Sequence, residues 1–274
     1  MVLHVIEATH GRYGSRLYNN LAPFEYAHRK LGLDIRVHIV GYEDSEHITK
    51  SNAAICDALG IAYWQAWSDK NDRPFSVPHM YNFLLRKIDQ GDFVCTTCVD
   101  HIIMPKTIVE IMKRAQEDSL LIPTAITRIL MPMSEEIDFI KDPKGREFLL
   151  RYSKTEEYKN PPGAYQVASR GVWQGIHGYD ERMKGLGRQD NDLLNRMKNN
   201  GTRIVKLDAK KFPIYHQFHY RNWVPWKKDK VVDIPNNDKI MKKNKSEGTF
   251  VVNDGGWGEY PWLRSAQMAR GWWQ

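Results

Sequence analysis

The chain has 274 residues, of which 42% are hydrophobic and 11% aromatic, enough to bury the core of one large α/β domain or two small ones. Its three cysteines (Cys56, Cys95, Cys98) are too few for a disulfide scaffold, and no window approaches the roughly 18 to 20 apolar residues that a membrane helix needs. A formal net charge of +7 favours anionic partners such as nucleotides, phosphorylated lipids, membrane surfaces or nucleic acid, but no nucleic-acid-binding motif accompanies the charge. The opening MVLHVIEATHGRYG lacks the basic and apolar regions of a secretory signal, so a cytoplasmic protein is expected.

Apolar patterning alternates through the first half. Residues 3–8 (LHVIEA) predict a strand; 16–31, with Leu17, Leu21, Phe24 and Ala27 at helical spacing, predict a helix that stops at Gly32; 34–40 (DIRVHIV) predict a second strand. A helix over 47–59 ending at Gly60, a strand over 61–67 and a helix over 77–90 follow. The stretch FVCTTCVDHIIMP (93–105) then reads as a buried strand running into polar residues, and Pro105 opens another helix. This βαβαβαβα order implies a mostly parallel sheet flanked by helices, whose ligands bind beyond the carboxyl ends of the strands.

The second half is less regular. A strand is expected over 119–126, a polar and partly helical segment over 131–162 (helix 135–152), a short strand at 164–168 and a short helix at 170–176. A helix over 190–200 stopped by Gly201 and a strand over 202–207 complete the pattern. From Pro225 onward lysines crowd and tryptophans appear at 257, 262, 272 and 273; 228–248 reads as a mobile loop and the aromatic tail as docking on the core. The division expected is therefore 1–224 as the main domain, with 225–274 a basic, Trp-rich extension packed on it.

Two cysteines, an aspartate and a histidine at the end of a strand admit three chemistries. A C-x-x-C near a βαβ unit can be a redox pair, but Cys95 lies inside the apolar strand and the helix begins only near Pro105. Cys95, Cys98 and His101 could hold zinc, yet no second close pair of ligands accompanies them. The third reading keeps Asp100 alone as a cation ligand and gives the cysteines to packing.

The segment GDFVCTTCVDHIIMP, preceded by Asn82 in HMYNFLLRKIDQ, resembles the nucleotide-sugar-dependent glycosyltransferases of the GT-A fold. In that alignment Asp100 takes the second acid of the family's D-x-D motif, while Cys98 replaces the first. The stretch GAYQVASRGVWQGIHGYDERMKGLGRQDNDLLNRMKNNG (163–201) carries the resemblance further. Gly178-Tyr179-Asp180-Glu181, Gly185, Gly187, Gln189-Asp190-Asn191-Asp192-Leu193 and Arg196 match the galactosyltransferase-type pattern in order and spacing, with Gln189 in place of the usual Glu.

The resemblance implies a metal-dependent, inverting glycosyltransferase that moves a sugar from a nucleoside-diphosphate sugar, UDP-linked by preference, to an acceptor hydroxyl. It implies Asp190 as general base; Asp180, Gln189 and Asp192 as contacts to sugar or acceptor; Asn82 and Asp100 at the donor. In YHQFHYRNW, His219 with His216 would return to complete the cation site, and imidazole donors favour manganese over magnesium. Glu43 or Asp44 in HIVGYEDSEH falls where the family reads the nucleobase, and Thr9, His10 and Arg12 where it touches the nucleotide. The acceptor is left open among a glycan, a lipid-linked saccharide and a hydroxymethylated base in viral DNA. Cys98 and Gln189 motivate an alternative, a non-catalytic sugar- or nucleic-acid-binding protein on a transferase fold, and a thiol oxidoreductase stands as a third class.

Overall fold

The computed structural model describes residues 1–9, 14–42, 45–68, 76–89, 92–130, 141–152, 154–159, 161, 163–185, 187–219, 234–261 and 263–271. Glu43, Asp44, His10 and Arg12 lie outside these described residues.

Four parallel strands form the centre of the sheet: β1 (Leu3–Thr9), β2 (Ile35–Gly41), β3 (Ala62–Ser68) and β4 (Phe93–Thr97). The helices α1 (Ser15–Leu31), α2 (Glu46–Ala58) and α3 (Val77–Leu85) connect them, as parallel neighbours require. Side chains alternate between two cores. Leu3 and Val5 face the cluster that takes in Leu17, Leu21 and Phe24 of α1; Ile6 faces the one with Leu84, Trp173, Tyr179 and Trp257.

The whole sheet is mixed rather than mostly parallel. Its order is β10-β6-β9-β4-β1-β2-β3-β12, with β6 (Ser119–Pro123), β9 (Tyr165–Ser169), β10 (Arg203–Leu207) and β12 (Leu263–Ala269). β9 lies antiparallel between β4 and β6, and β12 is antiparallel to β3. The reversal has a plain cause: β9 follows a strand of a second sheet, so the chain enters from the opposite end without a crossover helix.

That second sheet, β5-β11-β7-β8, comprises β5 (His101–Ile103), β7 (Ala125–Ile129), β8 (Thr155–Lys159) and β11 (Ile214–His216). The single strand expected over 119–126 is thus two, divided at Pro123, which has no N–H to extend a ladder. The remaining helices are α4 (Pro105–Arg114), α5 (Pro143–Tyr152), α6 (Arg170–Gly175), α7 (Gln189–Asn199) and α8 (Ile234–Ser246).

From residue 234 on, α8 replaces the mobile loop expected over 228–248. It packs on α7, where its buried Asn244 reaches Asp192, and its buried Asn237 holds the backbone of Lys184 and Gly187 in the turn before α7. Trp257 is fully buried in the second core, and β12 extends the sheet beside β3.

Candidate functional site

Asp100 lies three residues past β4, at the carboxyl end of the parallel strands. β5 starts at the next residue and pairs antiparallel with β11, setting His216 opposite His101; the ladder continues as Gln217 N–H donates to Asp100 O at 2.7 Å. This register carries the chain after β11 past Asp100. Ligand atoms of Asp100, His216 and His219 consequently all lie within 4.8 Å of one another, the one such His, Cys, Asp or Glu group among the described residues.

The Asp100 carboxylate is held from several sides. Arg16 Nη1, in the first turn of α1, donates to Oδ1 at 2.6 Å, and His219 Nε2 lies 3.4 Å from Oδ2. The Cys98 thiol, 3.9 Å from Oδ2, points a weak donor at the same oxygen. Burial, then the charge of Asp100, pushes the Cys98 thiol well above its usual range. Where the resembled motif has its first acid, this chain therefore has a neutral group.

The donor set fits a divalent cation. One carboxylate and two imidazoles suit the softer first-row ions such as manganese. Burial foremost lowers the His216 pKa, and His101 beside it is pushed to about 3, so both rings are neutral near pH 7 and His216 presents a lone pair.

A polar scaffold supports this turn. Asn20 Nδ2 donates to the carbonyls of Cys98 and His101, at 3.1 and 2.7 Å, and Gln217 Nε2 donates to those of Arg16 and Val99. Glu7, on β1, is fully buried, and neither carboxylate oxygen has a hydrogen-bond partner among the described residues. Burial, then the Asp100 charge, raises its pKa well above the usual carboxylate value, which favours the protonated form. Neither Glu7 nor Arg16 is marked by any motif. The signal available for Glu7 was an acid inside an apolar strand; for Arg16 there was none among 40 Lys and Arg residues.

Asp190 stands in the first turn of α7, half-buried. A Cβ at position 163 would overlap its carboxylate, so Gly163 is what leaves Asp190 room. Burial raises its pKa to about 6, against the lowering that a helix N-terminus by itself exerts. The charge of Asp190 is felt at Cys98, Tyr81 and Tyr179, which links it to the same end of the sheet as Asp100.

The other motif residues are braced into the fold. Asn82, fully buried, donates to Tyr179 O and Glu181 Oε1, both at 2.9 Å, and accepts from Tyr179 N–H at 2.8 Å. Gly178, at φ 67°, passes so close to Asn82 that a side chain there would collide with it. Arg196 is fully buried and pairs with Asp192 at 2.6 Å, while its other nitrogens hold the carbonyls of Ile176 and Gly178. Asp180 accepts from Arg182 and from Asn244 Nδ2 at 2.9 Å, and Asn244 also donates to Asp192 Oδ1 at 2.8 Å. Gln189 donates to Gly185 O at 2.8 Å. Thr9 ends β1 fully buried, its carbonyl accepting from Tyr42 N–H at 3.0 Å.

The rival chemistries of the C-x-x-C fail on geometry. All three thiols are free, and burial pushes the pKa of each one up, so no reactive thiolate forms. Cys95 points into the core, leaving a zinc set of Cys95, Cys98 and His101 unassembled.

Residues 151–220 match the family model described as the N-terminal domain of galactosyltransferase. Among solved structures, a Drosophila β1,4-galactosyltransferase 7 mutant, in complex with manganese, UDP-Gal and xylobiose, aligns with TM-score 0.53 and 9% identity, over 88% of this chain and 80% of that one. A mannosyltransferase from Pyrobaculum calidifontis, in complex with GDP-Man and manganese, aligns with TM-score 0.52 and 13% identity, over 89% of this chain and 68% of that one. Comparison with curated protein sequences gave no match.

The fold is that of the GT-A glycosyltransferases. The galactosyltransferase-type match is confined to the segment that runs from α5 past β11, and over the rest of the chain the likeness is one of fold. No helix among the described residues is long and apolar enough to cross a membrane.

Proposed function

We propose that the protein is a metal-dependent, inverting glycosyltransferase that moves a sugar from a nucleoside-diphosphate sugar, with UDP the favoured nucleotide, to a hydroxyl of a saccharide acceptor. The observation that carries this reading is the convergence of Asp100, His216 and His219 at the carboxyl end of β4. A divalent cation bound there, manganese before magnesium, would neutralise the charge that develops on the leaving diphosphate. Asp190 takes the proton of the acceptor hydroxyl as its oxygen bonds to the anomeric carbon and the bond from that carbon to the phosphate oxygen breaks. A carboxylate with pKa about 6 is ionised near neutrality and more basic than an ordinary aspartate, as this role requires.

Asn82, Asp180, Asp192 and Arg196 shape the turn and helix that present Asp190, and Gln189 tethers the helix start to Gly185. Thr9 lines the end of β1, and Glu43 or Asp44 remains the proposed nucleobase contact. A saccharide acceptor is supported by the xylobiose bound to the fly galactosyltransferase mutant. Duplex DNA has only the net charge and the exposed lysines of α8 behind it. Three free thiols suit the cytoplasm.

A thermal-shift panel of UDP, GDP, CDP and ADP, each with and without manganese, tests the donor half without knowledge of the acceptor. At a hundred times its Kd a ligand adds about 2.7 kcal/mol to the folded state. One nucleotide is expected to stabilise the wild type strongly only with manganese, and Asp100→Ala to lose that shift. If no nucleotide moves the melting temperature under any condition, the transferase activity is refuted and only the shared fold stands.

A further inference from the structure

Arg16 pairs with Asp100 at 2.6 Å while its side chain stays 27% exposed. It occupies one of the two oxygens that a cation at Asp100, His216 and His219 would need. Asp100 is the one carboxylate of that set, and Arg16 already pairs with it. A divalent cation entering alone would meet an arginine at contact distance, with no second carboxylate to offset the repulsion. An incoming diphosphate removes that conflict, because it supplies anionic oxygens to both cations.

We propose that Arg16 is an exchangeable counter-ion: it holds Asp100 until the divalent cation binds, then turns to the diphosphate of the donor, so that cation and nucleotide bind cooperatively. This inference rests on the transferase reading and adds a residue that no motif marks. Guanidinium suits the second role, since its planar fork matches phosphate oxygens. The position suits it too: α1 begins at this point, with no acid in its first turn to repel an anion.

Electron paramagnetic resonance of free manganese, titrated against the protein with and without saturating UDP and, in parallel, GDP, reads the coupling directly. Wild type should bind manganese weakly alone and between about 5- and 150-fold more tightly with the nucleotide, the usual span of such couplings. Arg16→Met should move the two affinities in opposite directions, manganese alone binding several-fold tighter and the nucleotide in saturating manganese about ten-fold weaker, with the coupling reduced accordingly. Arg16→Lys, which keeps the charge without the fork, should fall between them, and it preserves the test if the methionine variant folds poorly. An Arg16→Met protein with both affinities unchanged, or with weaker manganese binding, overturns the exchange while leaving the metal site in place. A wild type that takes up no manganese in either condition overturns the metal site and the exchange together.

Discussion

Two acids on the same molecule carry raised pKa values for one physical reason and predict different mutational outcomes. For Asp190 the ordinary carboxyl pKa of 3.8 rises to about 6 on burial, a shift of roughly two units and so no more than about 3 kcal/mol. The sign follows from which state ionises first. Below pH 4 both states are protonated and nothing is lost; between pH 4 and 6 the unfolded chain gives up its proton first; above pH 6 the full cost stands. Asp190→Asn is therefore expected to melt higher than wild type at pH 7, equally at pH 4, and to lose about 10²- to 10⁴-fold in turnover. Wild-type turnover should fall on an acid limb near pH 6, and an Asp190→Asn variant that melts lower at pH 7 would show that the carboxylate is paired instead. Glu7 differs in what its proton does. Among the described residues Asn20 Oδ1 and both Glu7 oxygens lack partners, Asn20 lies beside Glu7, and a protonated Glu7 carries a hydrogen that Asn20 Oδ1 can accept while its amide nitrogen holds the turn before and after Asp100. Glu7→Gln keeps that donor without the charge, so it should match wild type at pH 5 and exceed it at pH 8 in chemical denaturation. Glu7→Ala should cost about 2 to 3 kcal/mol. A glutamine variant weaker than wild type at pH 8 would mean that Glu7 is ionised. The sequence showed Asp100, Asp190 and both histidines, because each sits in a motif, but it could not show Glu7 or Arg16, whose roles arise from contacts 84 or more residues apart or from burial alone.

At the scale of elements, the pairing of α7 with α8 decides what the galactosyltransferase-type segment is made of. Asp180 lies in the turn between α6 and α7 and Asp192 in α7, and the amide of Asn244 on α8 donates to both. Burial by itself would raise the Asp180 carboxyl, but the bonds from Arg182 and Asn244 outweigh it and hold the pKa below its usual value. Removing the amide leaves two buried carboxylates each short of a donor, so Asn244→Ala should cost about 2 to 4 kcal/mol. Asn244→Asp should cost more, since it places a third acid against the two. Urea unfolding of both variants checks this, and an alanine variant within 0.5 kcal/mol of wild type, about the scatter of neutral surface changes, would remove α8 from the architecture of the site. The helix was read as a loop because its lysines and asparagines looked like solvated chain. The signal it did carry was spacing: Asn237 and Asn244 are seven residues apart, two helical turns, and both are buried. β11 was illegible for the opposite reason. Three residues make too short a run for periodicity, and only its pairing with β5 shows why His216 meets Asp100.

For the whole molecule, the alternation of strands and helices over the first hundred residues was enough to place a sheet with its site at the carboxyl ends. It could not reveal that β9 and β12 run antiparallel, because strand direction is set by how the chain returns and a local pattern carries no record of it. The same limit applies to the last fifty residues (225–274), which by composition read as an extension packed on a finished domain. The contacts indicate a closer dependence. α8 supplies Asn237 to the backbone of Lys184 and Gly187 and Asn244 to the two acids, Trp257 fills the core beneath Tyr179 and Trp173, and β12 covers the edge of β3. Losing one buried tryptophan of this kind costs about 3 to 5 kcal/mol, a large part of the 5 to 15 kcal/mol by which domains are stable, and truncation would remove the asparagines and the edge strand as well. A chain ending at residue 233 is accordingly expected to lose its cooperative thermal transition and its manganese-dependent nucleotide shift together, while Trp257→Phe, which keeps most of the volume, retains both at a lower melting temperature. If the truncated chain still melts cooperatively and still responds to the nucleotide with manganese, residues 1–233 fold independently and the C-terminal segment is an appendage after all.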